Sequence, residues 1–275
     1  METLFDPDGP YFSAWIRVYD IDAKPASEST LNVYTWYYSY EEAPPPLYYA
    51  ALCGFHDLAE HLIDNCSQEV NVRGGYCVSP LPAALGNGHF KTAQLLYERG
   101  GNIRVSGYWR RTLLHASSVS GQIEVVQWLL GHDVDPNVRD QYGWTPLFFA
   151  AINGWLEIVR TLLQHNADIN MRSDDQTPLH RASEHGYPDV ARLLLEHGAE
   201  INSRDKDGST PLHMVLENRS RRRGPSSSRE GSFEVVRLLI EHGADVHAED
   251  NEGKTPFQVT SGSDMVKLLS DLGAK

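Results

Sequence analysis

The chain has 275 residues, of which 41% are hydrophobic and 22% charged, enough apolar material for a substantial core and little compositional pull toward disorder. Its formal charge of −13 sets it against nucleic acid and anionic membrane surfaces, whose phosphates repel it. Cys53, Cys66 and Cys77 form no CxxC pair, the acidic N-terminus leads into no apolar signal segment, and no run of about 18 apolar residues occurs. These features exclude a zinc ribbon, a disulfide framework and a membrane span as readings, and set the expectation of a reduced cytoplasmic protein with the nucleus also open.

In chain order, residues 1–44 come first and are rich in aromatics, among them Phe12, Trp15 and Tyr19, which share one helical face with Ile16. The expectation is an N-terminal cap or linker. A remnant of a contact with an upstream domain is the alternative.

From residue 45 a repeated unit takes over. Thr145-Pro146-Leu147 recurs as Thr177-Pro178-Leu179, Thr210-Pro211-Leu212 and Thr255-Pro256-Phe257, with looser copies at Pro45-Pro46-Leu47, Ser79-Pro80-Leu81 and Thr112-Leu113-Leu114. The second positions of these triplets are separated by 34, 33, 33, 32, 33 and 45 residues. The Thr hydroxyl suits a helix N-cap and Pro the first helical position, where its missing N–H costs nothing. Gly54, Gly88, Gly121, Gly154, Gly186 and Gly231 are expected to end a first helix. A second helix follows with an acid in its first turn, as in Glu157-Ile158-Val159-Arg160-Thr161-Leu162-Leu163. Gly100, Asp133, Asn166, Gly198, Gly243 and Gly273 stand in register at its end, where a left-handed cap is needed.

These residues resemble the ankyrin repeat, on Asp140-x-x-Gly143-x-Thr145-Pro146-Leu147 and on Thr210-Pro211-Leu212-His213 followed by Gly243-Ala244. The resemblance implies an all-α ankyrin-repeat solenoid of about seven helix-turn-helix units with β-turn fingers, spanning residues 45–275. The Ser173–Gln176 finger is one residue short and lacks its glycine, and the last unit is short between Thr255 and Val266. Leu4-Phe5-Asp6-Pro7-Asp8 and Tyr19-Asp20-Ile21-Asp22, with Pro46-Leu47-Tyr48-Tyr49-Ala50-Ala51-Leu52-Cys53-Gly54-Phe55, look like the entry to the ankyrin tail of fungal NACHT-ankyrin (NOD-like receptor) proteins. That narrower resemblance implies the recognition or adaptor part of a larger receptor.

Unit six exceeds the 33-residue period by 12 residues. The excess holds Arg219, Arg221, Arg222, Arg223, Ser226 and Arg229 and no acid, giving this stretch +5 against −18 for the remainder. A solvated Arg/Ser-rich loop at about 219–230 is expected. As a basic or regulatory loop it carries the rival reading, a nuclear or nucleic-acid-associated regulator.

Chemistry finds little purchase. Gly253-Lys254-Thr255 lacks the P-loop glycine five residues upstream, where Ala248 stands. Most of the twelve histidines recur at two repeat positions, His115, His180 and His213 after the triplet and His132, His165, His197 and His242 before the second cap. A residue repeated once per unit serves the architecture, and no catalytic cluster, metal site or cofactor is expected. The partner expected is another protein, bound by a monomeric array, with no membrane contact and nucleic acid disfavoured. The candidate binding residues are Tyr76, Trp109 and Tyr142, one column at 33-residue spacing, with Arg111 and Trp144 beside them. Tyr, Trp and Arg are the residues most enriched at binding hot spots. Further on the column becomes Asp207 and Glu252, an acidic half. The competing reading is that the rings stiffen adjacent fingers by packing on one another.

Overall fold

Each of the seven triplets opens a helix. The computed structural model describes residues 44–73, 79–221, 227–260 and 263–271, with the side chains of 108, 218–221 and 227–229 excepted. The residues 1–44 expected as a cap or linker lie almost wholly outside this range, as do Tyr76, Cys77, Arg222, Arg223, Ser226 and Gly273. Two compact units meet in sequence between Val134 and Asp135.

Among the described residues the first unit holds three helix pairs: α1 Pro46–Leu52 with α2 His56–Asp64, α3 Pro80–Gly86 with α4 Phe90–Glu98, and α5 Leu113–Ser120 with α6 Ile123–Gly131. The second holds α7 Pro146–Asn153 with α8 Leu156–Gln164, α9 Pro178–His185 with α10 Pro188–Glu196, α11 Pro211–Arg221 with α12 Ser227–Glu241, and the short α13 Pro256–Val259 with α14 Ser263–Asp271. Within each unit, first helices pack on first helices and second on second. Among the described residues there is no strand, only isolated bridges closing two fingers. The fold is all-α, as the repeat implies.

The core sits between the two helix layers. In the second unit it is built from Leu147, Phe148, Ile158, Leu162, Leu179, Leu194, Leu212 and Leu239, all with at most 2% exposure. Truncating any one of them removes transfer energy and leaves a cavity, at a cost of about 2–5 kcal/mol.

Local chemistry explains why the helices start and stop where they do. Phe148 N–H donates to the Thr145 hydroxyl at 3.2 Å. Where histidine holds the third helical position it closes the cap from the other side: Thr177 N–H donates to His180 Nδ1 at 3.1 Å, and Thr210 N–H to His213 Nδ1 at 3.2 Å. With Nδ1 accepting, Nε2 carries the proton and donates to the next unit's finger, to the Ser209 carbonyl at 3.2 Å and the Lys254 carbonyl at 3.1 Å. Burial pushes the His180 pKa down to about 4. The second histidine column works at helix ends, where His132, His165, His197 and His242 donate from Nδ1 to the carbonyl four residues back at 2.7–2.9 Å. At the second caps, Gly100, Asp133, Asn166, Gly198 and Gly243 all adopt positive φ, as the register predicts.

Two sequence expectations change. Gly231 does not end a first helix; it lies inside α12, where an added Cβ would stand 2.3 Å from the Gly186 carbonyl oxygen. Its smallness serves a close approach, and the register had been carried across the insertion to the wrong helix. The stretch 219–230, expected as a loop, is entered by helix from both sides, α11 running to Arg221 and α12 starting at Ser227. Short helical extensions keep backbone groups paired where a loop would leave them to solvent.

Candidate functional site

The fingers between successive repeats are where the candidate residues stand, and their geometry begins with an aspartate. In the second unit Asp140, Asp205 and Asp250 close a finger in the same way. Each donates its N–H to the carbonyl of the residue four further on, at 2.9–3.0 Å. Each carboxylate Oδ1 then accepts the N–H of the residues two and four ahead, at 2.8–3.0 Å. Gly143, Gly208 and Gly253 fill the intervening position with φ of 79°, 76° and 74°. The short finger solves the turn differently: Ser173 and Gln176 exchange both backbone hydrogen bonds around Asp174 and Asp175, at φ 50° and 60°. Such a two-residue turn needs positive φ at both central positions, which Asp tolerates.

The fingertip residue two past the aspartate is carried outward. Tyr142 is 52% exposed, and its ring lies 6.4 Å from that of Trp144. Trp144 itself turns inward. It is half-buried, with ring centroids 5.4 Å from Phe148 and 5.2 Å from Phe149, and its Nε1–H donates to Asp174 Oδ2 of the next finger at 3.1 Å. Trp144 therefore pins its finger to the helix layer and to its neighbour, in keeping with the packing reading. The stitching continues, with the Ser173 hydroxyl donating to the Gly143 carbonyl at 2.8 Å and Gln176 Nε2 to Asp205 Oδ2 at 3.0 Å.

In the first unit Gly107 takes the aspartate position, and Gly107 N–H donates to the Arg111 carbonyl at 2.8 Å. Trp109 is 41% exposed at the tip, with the Arg111 guanidinium carbon 5.0 Å from its ring centroid, a cation–π pair. Of the five proposed binding residues, the structure pairs Trp109 with Arg111 and Tyr142 with Trp144, while Tyr76 lies outside the described residues. The arginines of the insertion have no side-chain description. At the acidic end of the column, Asp207 and Glu252 are exposed, but Lys254 Nζ pairs with Glu252 at 2.5 Å.

Several surface features were not read from the sequence. The residues after two turn glycines, Phe55 and Trp155, are exposed at 39% and 41%. Their signal was available, as bulky residues directly following Gly54 and Gly154. On the first-helix face of the second unit, Arg181 pairs with Glu184 at 2.7 Å and stands over the Phe148 ring at 5.4 Å. A periodic asparagine also went unread. Asn137 and Asn170 each hold the next unit's second-helix cap, accepting from Asp168 N–H at 2.7 Å and Glu200 N–H at 2.9 Å, and Asn71 does the same for Asn102 N–H at 2.8 Å.

A groove of about 640 Å³ lies between α10 and α12, lined by Arg192, Phe233, Glu234, Arg237 and Glu241 among others. Arg192 pairs with Glu234 at 3.2 Å across it. Among the described residues no three His, Cys, Asp or Glu side chains converge as a metal site, and no helix is long and apolar enough to cross a membrane.

Comparison with known proteins agrees with the geometry. The family model "Ankyrin repeats (3 copies)" matches residues 113–205, and "Ankyrin repeat" matches residues 207–251, together half of the chain. The chain is also similar to azaphilone pigments biosynthesis cluster protein L of Monascus ruber, 30% identical over 110 residues. That match covers 38% of this chain and 22% of the relative, so the chain spans about a fifth of the curated relative. The triplet helix starts, the Asp-closed fingers and the family matches lead to one conclusion: the chain belongs to the ankyrin-repeat family.

Proposed function

We propose that the chain is a non-catalytic protein-recognition scaffold whose fingertip aromatics, Trp109 and Tyr142, contact the partner. One observation carries this reading: both rings are held 41% and 52% exposed on closed turns, while the neighbouring Trp144 is spent on packing. Exposed Trp and Tyr on pre-formed turns lose little conformational entropy on binding, which is why such residues dominate interface energetics. Trp144 and Arg111 act behind them, the first fixing its finger and the second lying against the Trp109 ring. The recognition or adaptor part of a larger receptor is the role such a scaffold fits, in line with its resemblance to NACHT-ankyrin tails.

A quantitative pull-down tests it. Wild-type protein and a Trp109→Ala/Tyr142→Ala variant are compared by mass spectrometry, with circular dichroism showing that both are folded. Loss of the same set of proteins from the folded variant supports the reading. Equal recovery with both baits refutes it. A salt series separates the rival class, because phosphate binding weakens steeply with salt and an aromatic-centred interface far less.

A further inference from the structure

We propose that residues 1–43 lie over the outer face of α1, covering the first-helix layer of the array from within the same chain and leaving the flank of the second-helix layer open. This docking goes beyond the fingertip reading and does not depend on it.

The first observation is how deeply α1 is buried. It is the first helix among the described residues, with α2 and α3 packed against it. The first repeat of a solenoid has one flank that no repeat covers, and that flank carries core residues. Leu47, Tyr48, Tyr49, Ala50 and Ala51 are nevertheless all at most 2% exposed within a single chain. They are as well covered as Leu81, Ala83 and Ala84 of α3, a helix with α1 on one side and α5 on the other. The first helix of the last repeat behaves otherwise. In α13, Phe257 and Val259 are half-buried, and Gln258, which takes the place of Tyr48, is exposed. Two tyrosine rings, 5.5 Å apart edge to face, are therefore shielded on a helix whose position alone would leave one side bare.

The second observation is independent and limits how thick the cover is. Thr92 and Leu95 in α4, and Val190 and Leu193 in α10, hold the third and sixth positions of their second helices and are buried. Their counterparts in α2 are Leu58, which is half-buried, and His61, which is exposed. Among the described residues α2 has no repeat before it, and these two positions are where it opens. The cover therefore reaches α1 and stops short of α2. A second copy stacked end to end would close both layers, and could not account for burial that a single chain already provides. Residues 74–78 are too few, at about 3.5 Å each, to cross another helix while they join Arg73 to Ser79. Residues 1–43 run directly into α1 and have the length to return across it. Their apolar set, Phe12, Trp15, Ile16 and Tyr19, makes one helical face, which suits one layer.

The test keeps the full chain and has two arms. In the first, the photoreactive residue p-benzoylphenylalanine replaces Tyr48 and Tyr49 in turn, and crosslinks are mapped by mass spectrometry after irradiation. The expected result is an intramolecular crosslink from at least one of these positions to a residue between 1 and 43. Crosslinks that join two copies, or that reach only residues beyond 43, would overturn the proposal. In the second arm, hydrogen exchange is measured on the wild type and on Phe12→Ser/Trp15→Ser. Amides of residues 47–52 are expected to exchange at least about tenfold faster in the variant, while those of α9 change less than about twofold, because the opening is local to one end. Unchanged exchange at 47–52 would show that this apolar set does not cover α1, and the proposal would fall. If the variant unfolds throughout, so that α9 accelerates equally, the crosslinks alone decide. The fingertip variants have no bearing on either readout, so the recognition role stands or falls separately.

Discussion

Replacing Trp144 by alanine separates packing from recognition within one finger. The indole is half-buried against Phe148 and Phe149 and donates from Nε1 to Asp174 Oδ2 at 3.1 Å. A fully buried Trp truncated to Ala costs about 3–5 kcal/mol; discounted for the exposed part of this ring, the packing loss is about 2 kcal/mol. The lost hydrogen bond adds about 0.5–1 kcal/mol because its acceptor remains partly solvated. A total near 2–3 kcal/mol corresponds to a fall of roughly 5–10 °C in the unfolding midpoint for a chain of this size. Trp144→Phe keeps most of the packing and should show only the hydrogen-bond part, and Asp174→Ala should match it. Combining Trp144→Phe with Asp174→Ala should therefore be less than additive. Trp109→Ala, at an exposed tip, should stay within about 0.5 kcal/mol of wild type. Thermal melts followed by circular dichroism read the wild type and all five variants. A Trp144→Ala protein that melts with the wild type would refute the staple assignment.

The remaining predictions concern the scaffold. Burial holds the His180 pKa near 4 against an ordinary 6.5, so its stabilising contribution is full above pH 6.5 and is lost as pH falls from there toward 4, by about 3 kcal/mol in all. Urea melts from pH 7.5 to pH 4.5 should therefore show a shallower loss for His180→Gln than for wild type, and equal slopes would contradict the burial argument. Gly231→Ala should destabilise, although the same change inside an open helix stabilises by about 0.5–1 kcal/mol, because the new Cβ would lie 2.3 Å from the Gly186 carbonyl oxygen. A rise in its melting midpoint would show that α12 packs less closely on that turn. Asn170→Ala should cost about 1 kcal/mol by releasing Glu200 N–H, a loss that denaturant melts can resolve.

The repeat was legible because its signals are chemical and periodic. Pro at the first helical position, Thr before it and Gly, Asn or Asp at the second cap each follow from backbone requirements, and all seven first helices begin at the predicted residue. The site was only partly legible. Tyr142 and Trp144 are two residues apart and read alike in sequence, yet one points out and the other is pinned by Phe148, Phe149 and Asp174. That difference arises from neighbours 4 to 30 residues away in the chain, so local pattern cannot supply it. The strain at Trp109 and Arg110 was hidden for a related reason: unlike Gly, Asn or Asp, a Trp or Arg carries no sequence mark of positive φ. Gly231 misled because counting in register assumes no insertion, and the extra residues of unit six moved the glycine onto the second helix. The asparagines at 71, 137, 170 and 202 were periodic in plain sight, but a hydrogen-bonding role across units appears only once the units are stacked.

The central claim is that recognition resides in the exposed fingertip rings while stability resides elsewhere. The most direct measurement titrates a purified partner or selected peptide against wild type, Trp109→Ala and Tyr142→Ala, with a thermal melt of each protein in the same buffer. A buried aromatic anchor contributes about 2 kcal/mol to an interface, roughly a thirtyfold change in affinity. At least one of the two variants is expected to lose binding by this factor while both melt within about 2 °C of wild type. A midpoint that falls sharply with affinity per folded molecule unchanged would contradict it, and would place the rings among the staples with Trp144.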